Sequence, residues 1–250
     1  MTVSALLVTL AALAFTNAGV IFQNEGTIEG WSATQVEHKG YLRQVDNVYF
    51  DKPPALAMGQ VFDPNYPGRY HSELRYNAGY GLGDTRYYGF AFQLHPEWNF
   101  SPPISYNLAQ FISPFPKCDS YMPTTMVWLR GSKLFTRTKF GSVCDQKLDT
   151  FSLDVEVTAG EWHTIIIGAS WQANTTGFLQ LWFDGKPVLD KQDIPTTVAE
   201  TEQFQFRVGL YANGWYDDKS QRPLDGTYEV FYDKIAIATT KDEADPGKQC

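Results

Sequence analysis

The chain has 250 residues, of which 28 are acidic and 20 are Lys or Arg, so its formal net charge is −8. Long-range repulsion by this excess negative charge argues against a general affinity for nucleic acid or other polyanions, and any anion binding must be local. With 17 Phe, 14 Tyr, 7 Trp and 20 Gly, the composition favours strands and turns, and the length suits one large all-β domain.

The N-terminus has the features of a secretory signal. An apolar stretch from Ala5 to Phe15 is followed by small residues, and it is too short to span a bilayer. The sequence therefore predicts a signal peptide over residues 1–18 and a secreted, extracellular domain over 19–250. No other segment approaches the length of a membrane span, so we expect no membrane association.

Turn signals recur along the rest of the chain, and the pattern between them has a period of two. Strands or hairpins are predicted at 70–77, 86–95, 124–140, 162–171, 178–191, 204–213 and 227–238. Asp184-Gly185 predicts a two-residue hairpin turn, because Gly accepts the positive φ of a type I′ turn. Many short strands without a repeat or a long linker predict an all-β jelly-roll sandwich of two antiparallel sheets with a concave cleft.

The cysteines and the glycosylation acceptors fit an exported protein. In an oxidising compartment Cys118 and Cys144 are predicted to form a disulfide, and Cys250 is left over. Asn174 and Asn99 each begin an Asn-x-Ser/Thr acceptor sequence, and a proline after the second makes it the poorer site. We therefore expect a glycan at Asn174.

Polar, partly basic faces stand on several predicted strands, opposite residues suited to a core. These faces carry His71, Glu73 and Arg75; Lys133, Phe135, Arg137 and Lys139; and Gln205, Arg207, Gly209, Tyr211 and Asn213. Solvated outer faces of a sandwich are the alternative. Outer faces usually carry Lys, Glu, Thr and Ser, however, whereas these carry Arg, His, Tyr, Gln and Asn, with a Gly that would permit close approach of a ligand. The faces therefore predict a groove for a polar ligand.

The same strands resemble those of a known enzyme family. Residues 71–75 (HSELR) are similar to the Arg-(Ser/Thr)-Glu-Leu-Arg strand of the alginate lyases of polysaccharide lyase family 7. Residues 205–213 (QFRVGLYAN) are similar to their Tyr-Phe-Lys-Ala-Gly-x-Tyr-x-Gln strand, and 108–112 (LAQFI) lies where that family has Gln-Ile-His. All these segments follow the same chain order.

The departures from that pattern are systematic. His71 replaces the first Arg, Ile112 the His, Gln205 the first Tyr and Arg207 the Lys. With its predicted secretory signal, the whole chain resembles the fungal glucuronan lyases of polysaccharide lyase family 20, which have the same concanavalin-like jelly-roll fold. This resemblance implies an endo-acting lyase that cleaves β-1,4-linked glucuronan, an acidic polysaccharide. We expect a monomer.

The chemistry of such a lyase gives each candidate a role. Removing the C5 proton of a 4-linked uronate requires that the adjacent carboxylate be neutralised, and it needs a base and then an acid for the departing O4. The candidates are Arg75, Arg207 and Gln110 for the carboxylate, and His71 and Tyr211 for the protons. In β-1,4-glucuronan the C5 hydrogen and O4 lie on one face, so a single Tyr can act as base and then as acid. Tyr211 is the first choice and Tyr216 the fallback.

Supporting roles fall to other residues of the same faces. Glu73 is expected to orient Arg75 or another cation through a charge-assisted hydrogen bond. Arg137 and Lys139 are expected to bind carboxylates at neighbouring subsites, and Asn213 to contact substrate. Structural readings stay open: His71 could be an ordinary strand histidine, and Gln110 could satisfy backbone at a sheet edge.

The jelly-roll resemblance also implies one structural calcium on the convex side, bound through backbone carbonyls and an Asp of the last strand. Asp233 matches that position, and Glu25 near the first strand is the expected second ligand. An ordinary exposed Asp is the alternative. Calcium is expected to stabilise the fold and to take no part in the reaction.

Other functions were weighed against a glucuronan lyase. A retaining glycoside hydrolase needs two carboxylates about 5 to 5.5 Å apart, and the Glu-x-Asp-x-x-Glu run of the related hydrolases has only Asp154-Val155-Glu156 as its nearest counterpart here. A noncatalytic lectin stays open, because a cleft of Arg and Tyr can bind without reacting. Alginate or another polyuronate stays open as the substrate.

Overall fold

Over residues 19–115, 118, 123–218 and 226–249, which the computed structural model describes, the chain forms fifteen strands and two short helices. The strands are β1 (Val20–Asn24), β2 (Ala33–Val36), β3 (Tyr41–Val45), β4 (Ala55–Val61), β5 (His71–Tyr80), β6 (Thr85–Leu94), β7 (Ser105–Ile112), β8 (Thr125–Arg130), β9 (Lys133–Ser142), β10 (Asp145–Glu156), β11 (Trp162–Ser170), β12 (Gly177–Phe183), β13 (Lys186–Ile194), β14 (Phe204–Tyr211) and β15 (Thr227–Ala238). The helices are α1 (Asn213–Asp217) and α2 (Lys241–Ala244).

The strands form two antiparallel sheets that pack face to face. Within the described residues, one sheet has the order β13-β12-β11-β6-β15-β4-β3, with β1 added alongside β15. The other has the order β10-β9-β8-β7-β14-β5-β2. This arrangement confirms the predicted all-β sandwich, and it sets β14, which is far from both in sequence, between β5 and β7.

The predicted strands are confirmed with small shifts of their ends. β15 has the predicted bounds, and β12 and β13 form the predicted hairpin, with φ of 48° at Asp184 and 74° at Gly185. One boundary differs at the C-terminal end of β14, which stops at Tyr211, so Asn213 begins helix α1 instead of continuing the strand.

Aromatic side chains fill the space between the sheets. Tyr80 is stacked between Trp171, at a ring-centroid distance of 3.8 Å, and Phe204, at 4.5 Å. The hydroxyl of Tyr232 crosses the core from β15 and donates to the backbone oxygens of Leu108 and Gly209 in the opposite sheet. These contacts fix the separation of the sheets directly beneath the cavity described below.

The predicted pairing of Cys118 with Cys144 is present, with the two Cα atoms 5.5 Å apart. The disulfide ties the loop after β7 to the turn between β9 and β10. The predicted signal peptide, residues 1–18, and Cys250 lie outside the described residues. Among the described helices, neither is long and apolar enough to cross a membrane.

Candidate active site

A cavity of about 450 Å³ opens on the outer face of the sheet that contains β5, β14 and β7. Its lining consists of Gln35, Arg69, His71, Ser105, Gln110, Ile112, Pro123, Met126, Trp128, Arg137, Arg207, Tyr211, Asn213 and Asp217. Strand register explains much of this set, since directly opposed residues on neighbouring strands point to the same face. Tyr211 lies opposite His71, and Arg207 lies opposite Gln110.

Gly209 is required at the centre of this sheet, but for a different reason from the one expected. Its φ is 144°, and a Cβ atom there would lie 2.2 Å from the backbone oxygen of Ser72. The glycine therefore permits the close approach of β5 to β14, whereas the sequence had suggested approach of a ligand. Because Gly209 pairs with Glu73, this close contact lies beside the most buried carboxylate of the site.

Glu73 is fully buried and holds the polar groups of the cavity floor together. Its carboxylate accepts from His71 Nδ1 at 2.8 Å and from Gln110 Nε2 at 2.6 Å, and it lies 3.6 Å from the Arg207 guanidinium. Burial alone would raise the pKa of Glu73, but the contacts with His71, Arg207 and Gln110 outweigh burial and hold that pKa below its ordinary value. Glu73 is therefore a charged acceptor that orients its neighbours.

The contact with Glu73 also fixes the state of the histidine ring. A carboxylate can only accept, so Nδ1 of His71 must carry a proton and Nε2 is left on the other side of the ring. The ring stacks on Tyr211, with centroids 3.8 Å apart and planes 17° from parallel. His71 and Tyr211 thus form one rigid pair on the cavity wall.

The Tyr211 hydroxyl is the group best placed for proton transfer. It is hydrogen-bonded to Arg69, whose guanidinium also lies 3.4 Å from Asp217 and 4.3 Å from the centre of the Tyr216 ring. Burial raises the pKa of the Tyr211 phenol above its usual value, and the Asp217 charge adds to this, whereas Arg69 acts in the opposite direction. Proton affinity at this oxygen is therefore set by the cavity.

Arg137 presents a cation to the cavity from β9. One of its terminal nitrogens donates to the Pro123 backbone oxygen at 2.8 Å, while its Nε is buried and has no hydrogen-bond partner among the described residues. Burial lowers the pKa of Arg137 to about 10. Trp128, half-buried on the adjacent strand, stacks on Phe135 and lines the same part of the cavity. A half-buried cation beside an aromatic ring suits an acidic sugar.

The structure brings most predicted site residues together. His71, Gln110, Arg207, Arg137, Tyr211 and Asn213 line the cavity, and Glu73 lies directly beneath it. Asn213 reaches the cavity from helix α1, where it is hydrogen-bonded to Ser105.

Arg75, Lys139 and Tyr216 are not among the lining residues. Arg75 shares the strand face of His71, but it lies four positions further along β5, or about 13 Å, where it is directly opposite Arg207. Lys139 is buried at 5% exposure, and burial, with Arg137 nearby, lowers its pKa to about 8. Tyr216 is exposed beneath the Arg69 guanidinium. A catalytic role for Arg75 therefore stays a prediction that the cavity lining does not support.

Sequence reasoning missed several lining residues, chiefly Arg69, Gln35, Trp128 and Asp217. Arg69 lies two residues before His71, so an extended chain would place both side chains on the same face, and extending the alternating pattern back from His71 would have found it. Gln35 accepts from Arg207 at 2.6 Å and lies on β2, a short strand without a strong pattern. Asp217 lies on α1, which strand periodicity could not indicate.

The two residues expected to bind calcium have different surroundings. The Asp233 carboxylate is buried and accepts backbone N–H groups from Phe50 at 3.0 Å and from Lys234 at 2.8 Å, and burial raises its pKa. Glu25 lies 3.1 Å from the ammonium of Lys52 and 3.3 Å from that of Lys234, so its charge is already balanced. Asp233 fits a calcium ligand and Glu25 does not.

No group of three or more His, Cys, Asp or Glu side chains able to hold a metal ion occurs in the part of the chain that the structure describes. A calcium ion at Asp233 would therefore take its other ligands from backbone oxygens, which the sequence had also anticipated. The ion would lie on β15, in the sheet opposite the cavity.

Comparison with known structures gives strong and weak similarities. An endo-β-1,4-glucuronan lyase from the fungus Trichoderma reesei is 39% identical, with a TM-score of 0.89, over 92% of this chain and 100% of that one. The family 7 alginate lyase A1-II′ in complex with product is 13% identical, with a TM-score of 0.50, over 76% of this chain and 81% of that one. The cellulose-induced protein Cip1 is 12% identical, with a TM-score of 0.52, over 82% of this chain and 88% of that one. The last two similarities show the fold alone.

Comparisons of sequence complete the assignment. No curated protein matches this chain significantly. The sequence profile of a polysaccharide lyase family matches residues 23–236, which include almost all of both sheets and every residue of the cavity. On this match and on the 39% identity across nearly the whole chain, the protein belongs to the polysaccharide lyase family.

Proposed function

We propose that this protein is an endo-acting lyase that cleaves β-1,4-linked glucuronan by β-elimination. The observation that carries the proposal is the Tyr211 hydroxyl, hydrogen-bonded to an arginine and stacked on His71, beside the amide of Gln110 in one cavity. The similar Trichoderma reesei enzyme is a lyase of this specificity and supports the choice of substrate.

Neutralising the substrate carboxylate is the work of His71 and Gln110. Glu73 accepts one N–H of each, which leaves the second amide hydrogen of Gln110 as a donor toward the cavity, with Nε2 of His71 as a further donor when the ring is the imidazolium. Donors fixed in this way stabilise the charge that flows into the carboxylate when C5 loses its proton, and they need no rearrangement as that charge develops. Arg207 balances the buried Glu73 charge and is itself held by Gln35 and Gln205.

Tyr211 carries the proton through a syn elimination. Its phenolate takes the C5 proton, and the C–H electron pair becomes the C4=C5 double bond as the C4–O4 bond breaks. The departing O4 leaves with that bond's electron pair and takes the proton from Tyr211. The enzyme returns to its starting state, and the products are a 4,5-unsaturated uronate and a new chain end.

Arg137 and Trp128 form a neighbouring subsite. The guanidinium is suited to the carboxylate of the next uronate, and the indole face is suited to the apolar face of a sugar ring. A cavity of about 450 Å³ that is open to solvent accommodates part of a longer chain, which agrees with internal cleavage.

The test is a substrate panel of glucuronan, alginate and polygalacturonate, with product followed by the ultraviolet absorbance of its conjugated double bond. We expect absorbance to rise fastest on glucuronan, with oligomers of several lengths from the start. Binding of glucuronan without any unsaturated product would identify a lectin and contradict the proposal. A faster reaction on alginate would retain the mechanism and change the substrate.

We propose secretion, glycosylation and a monomeric state as the setting of this activity. A polysaccharide such as glucuronan is encountered outside the cell, which agrees with the predicted signal peptide over residues 1–18. Asn174 is exposed in the connection between β11 and β12, where a glycan would extend into solvent. Mass spectrometry of the secreted protein before and after deglycosylation tests the first two points, and size-exclusion chromatography with light scattering tests the third.

We propose that calcium is a structural cofactor bound by Asp233. The buried Asp233 carboxylate has only backbone N–H groups as hydrogen-bond donors in the described structure, and a cation there would stabilise its charged form. Because β15 belongs to the sheet opposite the cavity, the ion has no place in the proton transfers.

A further inference from the structure

We infer that Arg69 is a catalytic residue, which binds the Tyr211 oxygen and stabilises the phenolate that removes the C5 proton. The inference rests on the proposed function, because it assigns a partner to the base of that reaction. Arg69 lies just before β5, lines the cavity and donates to the Tyr211 hydroxyl oxygen.

The hydrogen bond from Arg69 to Tyr211 has a fixed direction. Guanidinium groups only donate, so the Tyr211 oxygen is the acceptor, and loss of the phenol proton strengthens the contact from a neutral to a charge-assisted hydrogen bond. Arg69 therefore favours the ionised form of Tyr211. When O4 departs, the same contact leaves the phenol proton free to point away from the guanidinium and toward the leaving oxygen.

Other contacts hold Arg69 in this position. Its guanidinium lies 3.4 Å from Asp217 and 4.3 Å from the centre of the Tyr216 ring, and both residues belong to α1, directly after β14. The helix thereby fixes the guanidinium over the end of the strand that carries Tyr211. Tyr216, the fallback base in the sequence reasoning, acquires a role as a support for Arg69.

Charges around the phenol oppose its ionisation, and Arg69 offsets them. Burial disfavours the Tyr211 phenolate, and the Asp217 and Glu73 carboxylates disfavour it further. Arg69 is the cation in direct contact with the oxygen, and it opposes all these effects. Arg69 and Asp217 thus act in opposite directions on one proton.

The experiment compares the pH dependence of kcat/KM for the wild type, Arg69→Gln, Arg69→Lys and Asp217→Asn on glucuronan. We expect Arg69→Gln to lower kcat/KM near neutral pH by about 10- to 100-fold, which corresponds to one to two pKa units. In a plot of kcat/KM against pH, the rising part of the curve should move to higher pH, because the Tyr211 phenol is harder to ionise in this variant. Arg69→Lys keeps the positive charge and should recover part of the rate. Asp217→Asn should move the rising part of the curve to lower pH.

Arg43→Gln is the matched control. Arg43 lies on β3 in the opposite sheet, has a comparably exposed side chain, and likewise contacts a carboxylate, that of Glu229 at 3.1 Å, and a tyrosine ring. It should leave both the rate and the pH profile unchanged. If Arg69→Gln does not fold, Arg69→Lys still tests the inference, because an ammonium cannot fully replace the guanidinium, and a wild-type rate and pH profile there would overturn it.

The remaining outcomes separate this inference from the proposed function. If Tyr211→Phe is inactive but Arg69→Gln raises only KM and keeps the wild-type pH profile, Arg69 merely binds substrate and the inference fails alone. If Tyr211→Phe retains wild-type turnover, Tyr211 is not the base, and the proposed mechanism and this inference fail together.

Discussion

Replacing Glu73 by Gln tests how the cavity floor is organised. Both carboxylate oxygens face donors: one accepts from His71, near Arg207, and the other accepts from Gln110. Whichever way the new amide turns, its NH₂ group must face one of these donors. The substitution therefore keeps the volume of the side chain and loses at least one charge-assisted hydrogen bond, worth about 1.5 to 3 kcal/mol.

The loss of charge adds a second cost. Arg207 is only 4% exposed, and without Glu73 its positive charge is buried with fewer compensating groups. Removing one partner of a buried ion pair costs about 3 to 5 kcal/mol, but at 3.6 Å the contact is looser than a direct pair, so we expect a total near 3 kcal/mol. Turnover should fall at least about 100-fold, because His71 and Gln110 lose their orientation.

Urea unfolding and initial-rate measurements on the same preparations check both effects. The pH dependence supplies a further signature: the pKa of Glu73 is lowered on folding from its ordinary value of 4.5, so its contribution to stability is present above that pH and is lost as the pH falls through the folded pKa. Glu73→Gln should lack this part of the acid sensitivity. Equal unfolding free energy and equal turnover in the two proteins would refute the assignment of Glu73 as the organising group.

The remaining predictions concern proton transfer, the neighbouring subsite and calcium. Tyr211→Phe should lower kcat by about 10² to 10⁴ with little change in glucuronan binding, whereas Tyr216→Phe should keep most activity; the reverse pattern in steady-state kinetics would move the base to Tyr216. Arg137→Ala should raise KM about 10-fold or more and weaken its dependence on salt, relative to Arg43→Ala as control, and an effect confined to kcat would argue against a binding role. Calcium should raise the melting temperature of the wild type and leave its initial rate unchanged, and Asp233→Asn should abolish that rise; chelation that stops turnover without altering melting would contradict a structural role.

The fold could be predicted from the sequence because strands with one buried face show a period of two. β15 was located with its observed bounds on that basis, and the β12–β13 hairpin was located from Asp184-Gly185. β4 escaped this reasoning because its residues from Ala55 to Gln60 are buried on both faces, which removes the alternation. Burial on both sides is a property of the assembled sheet and not of the strand alone.

The site was predicted only as far as strand faces could indicate it. The alternation of side chains along each strand placed His71 and Tyr211 on polar faces. The resemblance to the lyase family predicted that these faces line the same cleft. Parity could not give the distance along the groove, so Arg75 and Lys139 were grouped with residues that reach the cavity. The position of β14 between β5 and β7 decides which side chains meet, and that pairing joins residues between 93 and 140 positions apart in the chain.

Arg75 and Arg69 show what decides the function of a charge on such a face. Both lie an even number of residues from His71 and so belong to its strand face, and the similarity of residues 71–75 to the lyase motif favoured Arg75. Beside Arg75 lies Arg207, which donates to Gln35 and approaches the buried Glu73.

Before the start of β5, Arg69 lies next to helix α1, where its guanidinium contacts the Tyr211 hydroxyl and Asp217. The positive charge of Arg207 therefore balances a buried anion, whereas that of Arg69 meets a phenol at the cavity. The role that we propose for Arg69 follows from this position, because a residue outside the strand can approach the oxygen of Tyr211, the last residue of β14.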